Sequence, residues 1–443
     1  MSPTHPKPPR SAPVPQGRAR RLLQMGRAVG ELAAGAAAEG VARLARGESL
    51  ALSQLMLTPG NARRLAERLS TMRGAVMKVG QLMSMDGKGV LPPAFAELLS
   101  GLRDRAHHMP ATQLTEVLER EYGADWHRRF RRFSFEPVAA ASIGQVHSAE
   151  THEGRVLALK IQYPGVQRSI DSDVANLALL ARTPGLVPAA LEVAPLLERV
   201  RQQLHHETDY RAEARAATAY RALLGDDPVL SVPEVVEEHC SDHILATDFV
   251  AGIPVDRLAL PGQPQARRDH VALALARLSV REFFEMRLVQ TDPNFGNYLF
   301  DADTGRVALL DFGATEAVTP ERVEQLRELG RGLRDGDTPR IRAAALAAGF
   351  VAEDDPPLQT QAVLDMMALA GEPFRERGVY DFGASDLSGR VFDRGRAQVL
   401  GEGYARTPPP DLLFLQRKFV GTFMLCSRLQ ARLDVGALFG AQL

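Results

Sequence analysis

The sequence predicts an α+β fold of two lobes behind a helical N-terminal extension, and three observations carry that expectation. Apolar residues recur at helical spacing before about residue 125 and over most of the chain beyond 252. Short runs of strand character cluster between Phe133 and Val250. An Asp and an Asn five positions apart are followed by a hairpin and then by Asp-Phe-Gly. The expected division is a Pro- and Arg-rich disordered tail over 1–24 and a helical extension over 25–125. A smaller lobe over 126–252 and a larger helical lobe over 253–443 complete it. The 443 residues are ample for that many packed units.

The first seventeen residues, MSPTHPKPPRSAPVPQG, carry no hydrophobic periodicity. Arg18, Arg20, Arg21 and Arg27 follow, with no acidic residue before Glu31. Such a start reads first as a solubilising tail, because Pro interrupts the amphipathic helix of a transit peptide. A transit peptide and an arm for anionic lipid stay open as alternatives. Leu65, Leu69, Met72, Val76 and Val79 then form a helical stripe. Leu91-Pro92-Pro93 breaks it, and Phe95, Leu98, Leu99 and Leu102 resume it. Strands are expected over Phe133–Val138, Gln145–Glu150 and Val156–Ile161, with Glu153-Gly154 as a hairpin turn. A helix carries Leu196, Leu197, Val200 and Leu204, and Val232–Val236 and His243–Val250 read as further strands. Beyond Gly252 the pattern is helical apart from a hairpin over Tyr298–Asp311.

Composition excludes several function classes. Lys and Arg number 53 against 54 Asp and Glu, a net charge of -1, which argues against a nucleic-acid partner. Cys240 and Cys426 are too few for a disulfide scaffold and lack the neighbours of a zinc site. No run of about 18 or more apolar residues predicts a membrane-spanning helix. A cytoplasmic protein, with peripheral membrane contact at most, is the expectation.

The chemistry concentrates in Gln290-Thr-Asp292-Pro-Asn-Phe-Gly-Asn297 and Asp311-Phe312-Gly313. Protein-kinase catalytic loops show that Asp-to-Asn spacing, and Asp-Phe-Gly follows one hairpin later. One carboxylate near the attacking hydroxyl or water, plus an amide oxygen and a second carboxylate on metal, suits phosphoryl transfer. Mg²⁺ takes such oxygen ligands together with phosphates. Asp381-Phe382-Gly383 repeats the triplet without the upstream Asp and Asn, and reads as a loop. Upstream, Lys160 interrupts the apolar run Val156–Ile161, one hairpin after Ala139-Ala140-Ala141-Ser142-Ile143-Gly144. That is the kinase order of phosphate loop, hairpin and lysine strand. A kinase loop would carry three glycines where only Gly144 stands, so nucleotide geometry should differ here. Glu207, Asp209 and Glu213 are candidate partners for Lys160, and at about 100° per residue Asp209 and Glu213 share a helix face while Glu207 lies to one side. Lys78-Val79-Gly80-Gln81 breaks the apolar stripe of the extension, and such local inconsistency marks function or strain.

Taken together, Lys78-x-Gly80-Gln81, the Ala139–Gln145 segment, Lys160-Ile-Gln-Tyr-Pro-Gly, Glu207-x-Asp209, Asp292-Pro-Asn-x-x-Asn297 and Asp311-Phe-Gly resemble the UbiB family of atypical kinase-like proteins. The similarity is closest to the coenzyme Q kinase-like branch. It runs from about Leu65 to the C-terminus, through Gln416-Arg-Lys-Phe-Val-Gly and Leu425-Cys426-Ser427. The resemblance implies a two-lobed protein-kinase-like fold. It implies that Lys160 contacts the α/β-phosphates of ATP or ADP and pairs with Glu213. Asp292 would be the catalytic carboxylate, with Asn297 and Asp311 as Mg²⁺ ligands and Asp248, Phe249 and Val250 as a hinge facing adenine. The Ala139–Ser142 stretch and Gly144 would form the nucleotide loop. Glu207 and Asp209 would face Lys78, Gly80 and Gln81 where a kinase binds its peptide.

The implied function is ATP hydrolysis or small-molecule phosphorylation in support of ubiquinone-type isoprenoid metabolism. Implied partners are a quinone precursor or lipid, a peripheral membrane surface and a second copy in a homodimer. A Ser/Thr protein kinase and a nucleotide-gated lipid-binding scaffold are the rival readings. Thr291 and Asn294 stand where many members carry His, and the branch named shares both. Many bacterial members end in two membrane-spanning helices, so their absence here makes constitutive insertion unexpected.

Overall fold

The structure is a computed structural model that describes Lys78 and residues 109–181, 193–292, 294–391, 393–394, 409–440 and 442–443. The expected tail, most of the helical extension, and Gly80 and Gln81 lie outside the described residues. The chain divides into two compact units, Met1–Ala214 with Val235–Phe249, and Arg215–Glu234 with Val250–Leu443. The second unit thus starts slightly before the expected boundary at 252 and also takes in Arg215–Glu234.

In the first unit, helix α1 (Ala111–Tyr122) buries Leu114, Val117 and Leu118, the i, i+3, i+4 stripe of an amphipathic helix. Five antiparallel strands form its sheet: β1 (Arg132–Phe133), β2 (Ala139–Ala140), β3 (Gly144–Glu150), β4 (Val156–Gln162) and β6 (Ile244–Asp248). The order is β1-β3-β4-β6, with β2 on β3. Leu157, Leu159 and Ile161 alternate into a core with Leu114, Trp126 and Phe130. That period of two sends Lys160 to the other face. Helices α2 (Val166–Ala181), α3 (Val193–Glu207) and the first turn of α4 (Tyr210–Leu224) supply a second core around Ile170, Val200, Leu204 and Tyr210.

The second unit is built on α5 (Gln265–Arg281), which runs into a π-helical turn at Glu282–Met286. Its four-stranded sheet has the order β5-β10-β9-β7, made of β5 (Leu230–Ser231), β7 (Ile253–Pro254), β9 (Tyr298–Phe300) and β10 (Val307–Leu309). A separate pair joins β8 (Leu288–Gln290) to β11 (Thr315–Ala317), and another joins β12 (Tyr380–Asp381) to β13 (Arg432–Leu433). Helices α6 (Pro320–Asp335), α7 (Thr338–Ala348), α8 (Pro357–Ala370) and α9 (Pro410–Arg428) pack two further apolar clusters.

Three expectations need correction. Of the strand foreseen over Phe133–Val138 only Phe133 lies in a strand, at the end of β1, and β2 begins beyond Val138, because Pro137 offers no N–H to the ladder. Pro233 acts similarly on Val232–Val236: regular pairing is confined to Leu230–Ser231, with an isolated bridge at Val235. The C-terminal region holds more strand than one hairpin, since β7, β8, β11, β12 and β13 are also present.

Candidate active site

Two acidic residues near the α3–α4 junction serve two different lysines. Lys160 reaches Glu213 in the first turn of α4 with both carboxylate oxygens, at 2.7 and 2.9 Å. Lys78 is 1% exposed and pairs with Glu207 at 2.5 Å. The second oxygen of Glu207 accepts from Ser142 Oγ at 2.6 Å, so one carboxylate links the extension to the Ala-rich segment. Asp209 does neither job. The helix breaks between Glu207 and Tyr210, and Asp209 is exposed, accepting from Ala212 N at 2.8 Å as the cap of α4. The shared-face expectation for Asp209 and Glu213 fails for that reason.

The Ala-rich segment is a hairpin more than a loop. Ala139 and Ala140 are exposed strand residues, paired with Val146 and Gln145, and Ala141 N donates to Gly144 O at 2.9 Å. Gly144 is required by packing on β4: a Cβ there would stand 2.3 Å from Ile161 O. Buried Gln145 accepts from Met109 N at 2.9 Å and faces His147 Nε2 at 2.7 Å. Gln162 Nε2 donates to Thr208 O at 2.6 Å, tying β4 to the break between α3 and α4. At the end of β6, the Asp248 carboxylate is engaged by Arg155 at 2.6 Å. Phe249 N donates to Val156 O at 2.9 Å, and Val250 opens the second unit.

In the second unit, the β8–β11 pairing sets Gln290 opposite Thr315, and Thr291 N donates to Ala314 O at 2.8 Å. The Asp292 loop and the Asp311 turn therefore emerge from neighbouring strands. Asp292 is buried at 8% exposure. Asn297 Nδ2 donates to Asp292 O at 3.4 Å, which turns its amide oxygen the other way. Asp311 accepts from Gly313 N at 3.0 Å, and Phe312 packs on Tyr220 with ring centroids 4.9 Å apart. Asp381 caps a surface turn, accepting from Gly383 N and Ala384 N and pairing with Arg432, which is a structural duty. Both cysteines are free thiols. Burial pushes Cys426 up to about 12, so it is no thiolate nucleophile.

Sequence reasoning includes Gln290 and Lys418 within longer motifs but gives no role to either, and it passes over Glu282. Gln290 Nε2 donates to the carbonyls of both Asp292, at 2.9 Å, and Asp311, at 3.2 Å. Glu282, fully buried in the π-helical turn, accepts from Gln290 N at 2.9 Å and from Tyr220 OH at 2.7 Å. Lys418 on α9 pairs with its other oxygen at 2.6 Å. Neighbouring Arg417 reaches to 3.9 Å from the Asp292 carboxylate. The sequence carries little signal for this pair, since Glu282 follows Arg281 and Lys418 follows Gln416-Arg417, where a charge reads as part of a solvated face.

Burial alone would lower the Lys418 ammonium, but the charge of Glu282 and contact with Tyr298 outweigh it and hold the pKa above the ordinary lysine value. Burial, reinforced by Glu282, likewise raises the phenols of Tyr220 and Tyr298. All three groups keep protons in the folded unit that the unfolded chain gives up above about pH 10. The folded state then binds more protons, so stability is full below that pH and falls as pH rises through it. Melting temperatures followed from pH 8 to 11 should decline above about pH 10, less steeply in Tyr220→Phe. A flat profile, or one unchanged by that substitution, contradicts the assignment.

Comparison with known proteins places the chain in a family. The ABC1 atypical kinase-like domain matches residues 101–345. The chain is 39% identical over 433 residues to the mitochondrial atypical kinase COQ8B of Rattus norvegicus, covering 97% of this chain and 81% of that protein. It is 34% identical to the mitochondrial atypical kinase COQ8 of Saccharomyces cerevisiae, covering 97% and 85%. Among solved structures, Rv3197 of Mycobacterium tuberculosis, determined with erythromycin, is similar with a TM-score of 0.58 and 25% identity, over 86% of this chain and 95% of that one. With its α+β kinase-like fold, the chain belongs to the ABC1 atypical kinase-like family and is a kinase-class enzyme.

Proposed function

We propose that the protein binds ATP with Mg²⁺ and transfers the γ-phosphoryl group to water or to a small hydroxyl acceptor, in support of isoprenoid quinone metabolism. The observation that carries this reading is the pair of carboxylates, Asp292 and Asp311, whose backbone carbonyls share the amide of Gln290. Asp292 orients the attacking hydroxyl and accepts its proton. Lys160, fixed by Glu213, is the cation for the α/β-phosphates. The donors offered by Asn297 and Asp311 are all oxygen, as Mg²⁺ requires, and these two residues would hold it; bound there, it neutralises phosphate charge. Lys78, committed to Glu207 beside Ser142, favours a small acceptor over a peptide. The quinone assignment draws on the kinship with the coenzyme Q kinase-like branch.

The test is phosphate release from Mg²⁺ATP, with and without phenolic quinone precursors and anionic liposomes. Release that needs Mg²⁺ and rises with the precursors is expected. Efficient phosphorylation of generic peptides would favour the protein-kinase reading instead. A separate expectation concerns Ala141, whose Cβ restricts the hairpin turn. Ala141→Gly should change the ratio of ATP to ADP affinity by calorimetry, and unchanged affinities for both would contradict a role of this turn in nucleotide binding.

A further inference from the structure

We propose that the buried Lys418–Glu282 pair is a positioning device for phosphoryl transfer, acting through Gln290 to fix the Asp292 loop and the Asp311 turn as one body. The inference rests on the phosphoryl-transfer reading of the same site.

The two charges are 2% and 0% exposed. Such a pair is a poor source of stability, because desolvation offsets most of the attraction and apolar residues of similar size often do as well. What it supplies here is placement. One oxygen of Glu282 takes Lys418, and the other takes Tyr220 OH and the backbone N–H of Gln290. The carboxylate therefore holds the last residue of β8 from behind. It does so from the first residue of a π-helical turn that closes on left-handed Arg287, at φ 52°. Turns of this kind occur often at functional sites, where the extra residue redirects a side chain.

The side chain of Gln290 carries the constraint forward. Tyr298 OH donates to its oxygen at 3.2 Å, which fixes which end of the amide points to the site. Its nitrogen donates to Asp292 O and Asp311 O. Neither segment can shift without losing a bond to the same amide. For a reaction that uses both carboxylates at once, a displacement of about 1 Å can cost about 10²-fold in rate. Lys418, Glu282 and Gln290 touch no reacting atom in this scheme. They are positioning residues.

The experiment compares wild type with Gln290→Met, Lys418→Met and the double variant, using two readouts. Amide hydrogen exchange without nucleotide should rise about tenfold in both 291–297 and 311–314 for each single variant, the loss expected for a hydrogen bond at a charged network, while exchange in β3 and β4 stays unchanged. With saturating Mg²⁺ATP, well below each melting temperature, kcat should fall at least about tenfold with KM within about twofold. The double variant should be no worse than the more damaging single, because both act along one path. Unchanged exchange in either segment of Gln290→Met overturns the proposal, as does a loss of kcat that multiplies in the double variant. If Lys418→Met does not fold, Gln290→Met decides alone. If the wild type releases no phosphate, the functional reading fails, and exchange still decides whether the loop and the turn are held together.

Discussion

Asp292→Asn should lower phosphate release by about 10²–10⁴-fold, the usual contribution of a general base. The substitution keeps the shape of a side chain that is largely buried, so loss of folding is not the expected route. Mg²⁺ATP affinity should stay within about twofold, because in the proposed mechanism this carboxylate serves the attacking hydroxyl and not the nucleotide. Asp311→Asn should behave in the opposite way, weakening metal-dependent nucleotide binding by removing the charged ligand proposed for Mg²⁺. Phosphate release and calorimetry on the two variants separate these roles. If Asp292→Asn turns over at the wild-type rate, the base has been misassigned.

The second large effect is on stability. Lys78→Met should destabilise the protein by about 3–5 kcal/mol, the usual result of stripping one partner from a buried ion pair. The contact is 2.5 Å long, and Glu207 would keep only the Ser142 hydroxyl among the two bonds described. Urea unfolding measures the loss. Adding Glu207→Gln to Lys78→Met should recover part of it, since no uncompensated charge then remains. A loss under about 1 kcal/mol would mean that the pair behaves as a surface salt bridge.

The sequence made some of this site legible and hid the rest for physical reasons. Lys160 could be placed because it is a single charge in an apolar run one hairpin after the Ala-rich segment, the kinase order of loop, hairpin and lysine strand. The alternation that gives it its own face shows only in the fold. Asp292, Asn297 and Asp311 could be placed because one loop and one hairpin fix their spacing locally. The break at Thr208–Asp209 was not legible from charge pattern, since a capping Asp and a helical Asp look alike in a run of polar residues. Pro137 and Pro233 mark the strand interruptions, since a missing N–H outweighs the apolar residues around it. Gly144 was noticed for the phosphate, whereas its immediate constraint is the carbonyl of Ile161. Glu282 and Lys418 sit beside other charged residues in the sequence, so only folding shows that they are buried and meet, and no spacing rule links residues so far apart in the chain.

The central claim, that this chain moves the γ-phosphoryl group of ATP with Asp292 as its base, is tested most directly by phosphate release from purified protein with Mg²⁺ATP. Wild type, Asp292→Asn and wild type with EDTA should be compared in one assay. The account predicts release by the wild type alone, lost with EDTA and reduced by about 10²–10⁴-fold in Asp292→Asn. Equal rates in wild type and Asp292→Asn, or no release by the wild type even with phenolic precursors and anionic liposomes, would contradict it.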